Sequence, residues 1–450
     1  MTHTNLFKAL GWKNGPDDND SELHNSMPEV HKSIPIPPNT SFFKKLLIYA
    51  GPGFLVAVGY MDPGNWATSL AGGSKFGYAL LSVILISNFF AMVLQHLALK
   101  LGIATGRDLA QMCKENFSKP VAIFLWLMAE VMIIATDLAE VIGSAIALNL
   151  LFNIPIIIGV IITAADVLVI LLLQNKGFRR LEAFIITLIG TITLIFATEI
   201  FLSSPAIGPL LIGFIPTTQL VFNPEMLYLA IGILGATVMP HNLYLHSAIV
   251  QTRSYAETEA GKKEAIKFAT IDSTTALTLA LFVNAAILIV SAAIFYVNGY
   301  NDIAEIEDAY KLMAPLLGAG FASTIFAVAL LAAGQNSTIT GTMTGQIIME
   351  GFLNLRIKPW LRRMITRLLA IIPAVVFISW YGSSGATELL ILSQVVLSVQ
   401  LSFAVFPLLI FTGNKKIMGN FVNSRKLNVI AWIIGSIIAG LNIWLLWTIM

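Results

Sequence analysis

The chain is 450 residues long, 56% hydrophobic and only 12% charged, with a formal net charge of +2. Soluble domains carry about 25% charged residues, so the composition excludes an ordinary water-soluble enzyme and points to a protein solvated by lipid. The one cysteine, Cys113, excludes an internal disulfide and a cysteine zinc site and reads as an ordinary free thiol near a helix end.

Residues 1–41 are rich in Asp, Asn, Ser, Pro and Lys and form neither a signal peptide nor a spanning segment. They are expected to be a mostly disordered cytosolic tail. Residues 42–450 read as a single all-α transmembrane domain. A spanning helix needs about 20 apolar residues, and eleven segments qualify: 46–70, 76–101, 120–146, 153–174, 181–202, 224–250, 268–297, 319–347, 364–380, 388–411 and 428–448.

Lys and Arg concentrate in cytoplasmic loops. With the N-terminus inside, every basic residue except Lys75 and Lys311 falls on the inner side. The odd number of segments then places the C-terminus outside. The outer loop near 298–311 carries Asp302, Glu305, Glu307 and Asp308; it either attracts cations weakly or is merely a solvated loop, and the second reading is preferred.

The first and sixth segments are interrupted. Gly59-Tyr60-Met61-Asp62-Pro63-Gly64-Asn65-Trp66 lies in one, and Ala236-Thr237-Val238-Met239-Pro240-His241-Asn242 in the other. A proline has no N–H to donate, and its ring clashes with the carbonyl four residues back. Pro63 therefore frees the carbonyl of Gly59, and Pro240 frees that of Ala236. The two prolines are 177 residues apart, and at that offset Asp62 faces Met239 and Asn65 faces Asn242. Segments one to five (about 46–202) thus correspond to segments six to ten (about 224–411), with 428–448 as an extra helix. Five is odd, so the two halves are inverted. Broken helices at matching positions of inverted halves point to a transporter's midplane binding site.

Asp62, the Asn65 amide oxygen and the Ala236 carbonyl offer one negative charge and hard or intermediate oxygens, and Met239 adds a soft sulfur. No Lys or Arg lies clearly mid-span. Magnesium and calcium gain nothing from a thioether, whereas Mn(II), Fe(II), Co(II) and Cd(II) accept one. Gln394 can add an amide oxygen or instead hold a neighbouring helix. His246 reads as a proton carrier rather than a ligand, and His96 as structural.

Charged groups at lipid depth are rare and mostly functional. The acidic candidates are Asp62, Glu130, Asp137, Glu140, Asp166, Glu199 and Asp272. Glu130 and Asp137 share a face of segment three about 10 Å apart, and Glu140 lies at i,i+3 from Asp137. Such a row suggests a proton relay, with Arg363 or Arg367 as a switchable partner for Asp137. Arg362 is expected to snorkel to the inner surface.

Asp-Pro-Gly-Asn at 62–65 and Ala-x-x-Met-Pro-His-Asn at 236–242 resemble the two signature motifs of the Nramp family of divalent-metal transporters. Asp-Leu-Ala-Glu at 137–140, Gly-Gln-Asn-Ser at 334–337 and Ser-Gln-Val-Val at 393–396 extend the resemblance over roughly 42–448. It implies a LeuT-like fold with eleven helices and a 5+5 inverted repeat. It also implies metal ligation by Asp62, Asn65, Ala236 and Met239, joined in some conformations by Gln394. The implied proton path runs through Asp62, His246, Glu130, Asp137 and Glu140 with Arg363 or Arg367.

The expected function is proton-coupled import of Mn(II), with Fe(II), Co(II) and Cd(II) as further cargo, across the plasma (inner) membrane by alternating access. An amino-acid/sodium symporter on the same scaffold is the alternative. Enzymatic activity, a permanently bound cofactor, nucleic-acid binding and an obligatory protein partner are not expected. No phosphate loop or hydrolase constellation is present.

Overall fold

A computed structural model describes residues 26–37, 40–165, 177–301, 303, 305–354, 359–382 and 384–449. Its architecture is helical, with one short parallel pairing of Ile34–Pro35 with Arg253–Ser254. Among the described residues, eight helices are long and apolar enough to cross a membrane, and a ninth span results if Phe42–Tyr49 and Pro52–Gly59, bent by 43°, count as one.

All eleven expected segments coincide at least in part with helix, but length and apolarity alone do not yield eleven spans. The first segment is divided into Pro52–Gly59 and Pro63–Phe76. Of the fourth, 153–174, Ile156–Ala165 is helical and 166–174 lie outside the described residues. The apolar part of the ninth is only Met364–Trp380, because arginines occupy the start of its helix. The tail expectation also narrows. Residues 26–37 are placed against the body, with the Lys32 amide donating to the Gln251 carbonyl (3.0 Å) and the Lys32 ammonium 2.7 Å from Glu257.

The two breaks have the same local cause. A residue before proline is pushed out of the α region, and Asp62 (ψ 166) and Met239 (ψ 123) are both extended. Each is the N-cap of the half-helix that follows, and Pro63 and Pro240 each open that half-helix at its first position, where a missing N–H costs nothing. The offset of 177 thus appears as identical backbone roles. The second broken helix lies at the centre: 94% of the apolar window in Pro224–Thr252 is buried, against 28% for the peripheral Phe178–Ser203.

The first half-helix is clamped at its free end. The Asp272 carboxylate accepts hydrogen bonds from the Gly51 and Gly53 amides (3.2 and 2.6 Å), so it caps Pro52–Gly59 from another helix. Beside it Arg253, 1% exposed, meets Glu182 at 2.5 Å and donates to the carbonyls of Ile48 and Ala50 (3.2 and 2.9 Å). Gly51 has φ +143, and a side chain there would collide with the Glu182 carboxylate, so only glycine fits this corner.

Arg253→Ala would leave Glu182 buried with only the half-exposed Arg179 as partner. Unpairing a buried carboxylate in this way is expected to lower stability by about 3 kcal/mol. The measurement is the unfolding midpoint of the detergent-purified protein, and an unchanged midpoint would show that the cluster does not hold the half-helix.

Candidate metal centre

At the first break the backbone is unwound over residues 60–62, and side chains satisfy its carbonyls. Asn284 donates to the Tyr60 carbonyl (2.7 Å), the Trp66 indole to that of Met61 (3.3 Å), and the Asn65 amide to that of Gly59 (3.4 Å). Asp62 Oδ1 accepts from both the backbone and the side-chain amide of Asn65 (2.9 and 2.7 Å). Asp62 Oδ2 is buried and has no hydrogen-bond partner among the described residues.

The second break is satisfied differently. Pro240 cannot bond back to the Ala236 carbonyl, and Met239 caps nothing with its side chain. The Thr237 hydroxyl and both polar atoms of the Asn242 side chain are buried without partners.

The breaks face one another. A Cβ on Gly59 would strike the Asn242 amide, one on Gly64 the Gln394 amide, and one on Gly235 the Gln394 carbonyl. Gln394 thus lies between the two broken helices. Its Nε2 donates to Ser393 (3.0 Å), and its Oε1 is buried without a partner. Asp62, Asn65, Ala236, Met239 and Gln394 are all at most 2% exposed.

Unpaired buried polar atoms are uncommon, and several occur where the two breaks meet, with one carboxylate among them. No group of three or more His, Cys, Asp or Glu forms a metal cluster among the described residues. The available donors are therefore one carboxylate, amide and backbone oxygens, and a thioether. Such a set can hold a divalent ion and release it again.

The helix Lys119–Phe152 runs past this chamber, and its Gly143 abuts Pro63. Glu140 is fully buried. Its Oε1 accepts from Ser337 (3.0 Å), and its Oε2 lies 3.6 Å from Arg367, whose other Nη is 3.4 Å from the Thr338 hydroxyl. Asp137 is fully buried one turn before Glu140. Of the two expected partners of Asp137, Arg367 lies 3.6 Å from Glu140, and the Arg363 side chain lies outside the described residues.

One expectation is corrected. Arg362 does not snorkel; it is 7% exposed and pairs with Glu130 at 3.0 Å, which also accepts from the Trp126 indole (3.0 Å). The Glu130 carboxylate on the neighbouring helix gives it a partner within the protein.

Two further links join the elements. Thr136 Oγ1 is 3.3 Å from His241 Nδ1. His246 Nδ1 is 2.9 Å from Gln95 Oε1, and Gln95 Nε2 donates to the Tyr60 hydroxyl (2.8 Å), so a chain of polar groups runs from the second broken helix to the first break. Sequence reasoning singled out His246 but missed Gln95, Tyr60 and Asn284. His96 meets Thr270 at 3.0 Å, consistent with a structural role. Of the remaining acidic candidates, Asp272 is a cap, Glu199 is buried with both oxygens unpartnered, and Asp166 lies outside the described residues.

A family model described as natural resistance-associated macrophage protein-like (Nramp) matches residues 53–448. A curated protein of Listeria monocytogenes serotype 4a, divalent metal cation transporter MntH, is 62% identical over 421 residues, 94% of each chain. Its namesake in Nostoc sp. is 60% identical over 94% of this chain and 95% of its own. Among solved structures, the Eremococcus coleocola manganese transporter, in complex with an aromatic bis-isothiourea substituted compound, matches with a TM-score of 0.87 and 45% identity, over 93% of this chain and 90% of that one.

Mhp1, a nucleobase-cation-symport-1 family transporter, matches with a TM-score of 0.58 at 13% identity, over 89% of this chain and 93% of its own. That likeness concerns the fold alone, which is the LeuT-like arrangement of two inverted halves with their first helices broken. With the family model spanning nearly the whole membrane region and relatives aligned along almost the full chain, the protein belongs to the Nramp family.

Proposed function

We propose that this protein is a proton-coupled secondary transporter that imports divalent transition-metal ions, Mn(II) foremost with Fe(II), Co(II) and Cd(II) as further cargo, through the plasma membrane. The observation that carries this reading is the meeting of unpartnered donor atoms at two facing helix breaks. The names of the aligned relatives, divalent metal cation and manganese transporters, agree with it.

Asp62 Oδ2, the Asn65 amide oxygen, the Ala236 carbonyl and the Met239 sulfur grip the ion, and Gln394 Oε1 joins them as the half-helices shift. The hydrogen bond from Asn65 Nδ2 to Asp62 Oδ1 orients this pair, leaving one oxygen of each side chain for the ion. The thioether favours transition metals over the harder and more abundant Mg(II) and Ca(II).

Protons travel beside the metal. Asp62, His246, Glu130, Asp137 and Glu140 carry them, and Arg367 with Arg363 sets the charge balance. The Glu140–Arg367 contact, looser than a direct hydrogen bond at 3.6 Å, is suited to breaking when Glu140 takes a proton. The N-terminus lies in the cytoplasm and the C-terminus outside, following the placement of basic loops. The two broken helices rock about the ion to expose it to each side in turn.

Three outcomes test this reading in proteoliposomes carrying a lumenal pH dye. Asp62→Ala is expected to lower Mn(II) uptake at least tenfold, about 1.4 kcal/mol or more; uptake at the parental rate would remove the proposed site. Met239→Ala should weaken Cd(II) binding by calorimetry while leaving Ca(II) binding intact, so that discrimination narrows; equal discrimination would remove the role of the sulfur. Glu140→Gln should retain Cd(II) binding but lose metal-dependent acidification of the lumen, and full acidification would take Glu140 off the proton route.

A further inference from the structure

Away from the breaks, a cleft of about 600 Å³ opens where the end of Lys119–Phe152, the start of Ile156–Ile162, the helix Ile306–Leu317 and the end of Pro359–Tyr381 meet. Its polar lining includes Asn149, Asn153, Glu305, Glu307 and Lys311. Glu307 stands out. It lines the cleft, is only 7% exposed, and neither carboxylate oxygen receives a hydrogen bond from another described residue.

A buried charge without a partner is unfavourable by several kcal/mol. The natural partner, Lys311 one turn along the helix, is already engaged with Asp308 at 2.9 Å. The first turn of Ile306–Leu317, where Glu307 lies, favours the ionised carboxylate through the helix dipole. Asn149 uses an amide hydrogen on the Ile154 carbonyl (2.9 Å), which leaves its oxygen as the atom available to a ligand. Oxygen donors therefore gather around an open volume whose lining lysine, Lys311, hydrogen-bonds Asp308 rather than Glu307.

We propose that this cleft is a second cation site, which binds a hydrated hard divalent ion such as Ca(II) through the carboxylates of Glu305 and Glu307 and the amide oxygen of Asn149. The donor set is all oxygen, the preference of hard cations, and lacks the sulfur present at the helix breaks. Two carboxylates rather than three or four place its affinity near the weak end of calcium sites, with a Kd of about 0.1–1 mM. By joining the start of Ile306–Leu317 to the end of Lys119–Phe152, the ion ties the shorter helix to the bundle. Its place on the outer face rests on the orientation proposed above; the binding itself does not.

The test uses full-length purified protein carrying Asp62→Ala, so that the candidate centre at the breaks does not contribute. Tb(III) is the probe, its emission sensitised by Tyr310 in the cleft wall, and Ca(II) is the competitor. Saturable emission displaced by millimolar Ca(II) is expected, at least tenfold weaker when Glu307→Gln or Glu305→Gln is added. Glu225→Gln, which removes an exposed carboxylate elsewhere, should leave the titration unchanged. Glu307→Gln conserves shape, and melting curves recorded in parallel establish that it folds. No saturable emission, an unchanged titration in folded Glu307→Gln, or an equal loss in Glu225→Gln would each overturn the proposal. None of these outcomes depends on whether Asp62 carries metal.

Discussion

Two missing N–H groups organise this molecule. Inside a bilayer no water is available to satisfy a freed carbonyl, so each unpaired backbone group must find a partner within the protein. Pro63 and Pro240 create the same deficit at equivalent points, but the chain meets it in different ways. At the first break Asn284, Trp66 and Asn65 supply donors to the carbonyls of Tyr60, Met61 and Gly59, and a carboxylate oxygen is left over. At the second break no side chain caps the helix from Met239, and the backbone carbonyl of Ala236 loses its helical donor. Equivalent backbones therefore carry different donor atoms at their breaks: a charge in one half, a carbonyl and a sulfur in the other.

The close approach of the halves depends on where side chains are absent. Gly59, Gly64, Gly143 and Gly235 sit where a Cβ would meet Asn242, Gln394, Pro63 or the Gln394 carbonyl. Remove that clearance and the broken helices separate, so the chamber is a consequence of packing as much as of the breaks. The eight-residue half-helix Pro52–Gly59 illustrates the mechanical side. One end is held by Asp272, which caps its first amides beside the Arg253–Glu182 cluster at Gly51, and the other ends in the unwound residues 60–62. A short rod clamped at one end and interrupted at the other has its weak point at the site.

The breaks were legible in the sequence because proline acts locally and covalently: its consequences do not depend on what the rest of the chain does. The inverted repeat was legible for the same reason, as a spacing between two such residues. What stayed hidden depends on the rotational register of helices far apart in the chain. Arg362 and Glu130 are 232 residues apart, and nothing in their local sequence says that they share a depth and face each other. Gln95 carries no local signal of its own, although it is Gln95 that joins His246 to Tyr60. Length criteria failed at the first and ninth segments because a break and a cluster of arginines shorten the apolar run without removing the helix. Residues 26–37 looked like tail because they have no apolar pattern of their own; backbone pairing with Arg253–Ser254 and the Lys32–Glu257 ion pair hold them.

Met239 shows how a departure from local rules carries functional information. An N-cap is a place for Ser, Thr, Asp or Asn, whose oxygen accepts from the first free amides and contributes about 1 kcal/mol. Asp62 fills that role in its half, bonding the Asn65 amide at 2.9 Å. At the equivalent position a methionine contributes no cap, so the chain forgoes that stabilisation at the centre of its most buried helix. Met239 belongs to the buried apolar core, yet Thr237 and Asn242, two and three residues away along the chain, carry buried polar atoms without partners among the described residues. Natural sequences tend to be locally consistent except where function demands otherwise. Under the proposed function the exception has a physical reason: a cap oxygen there would serve the helix and equally welcome magnesium or calcium, whereas a thioether serves neither and leaves a preference for the softer ion.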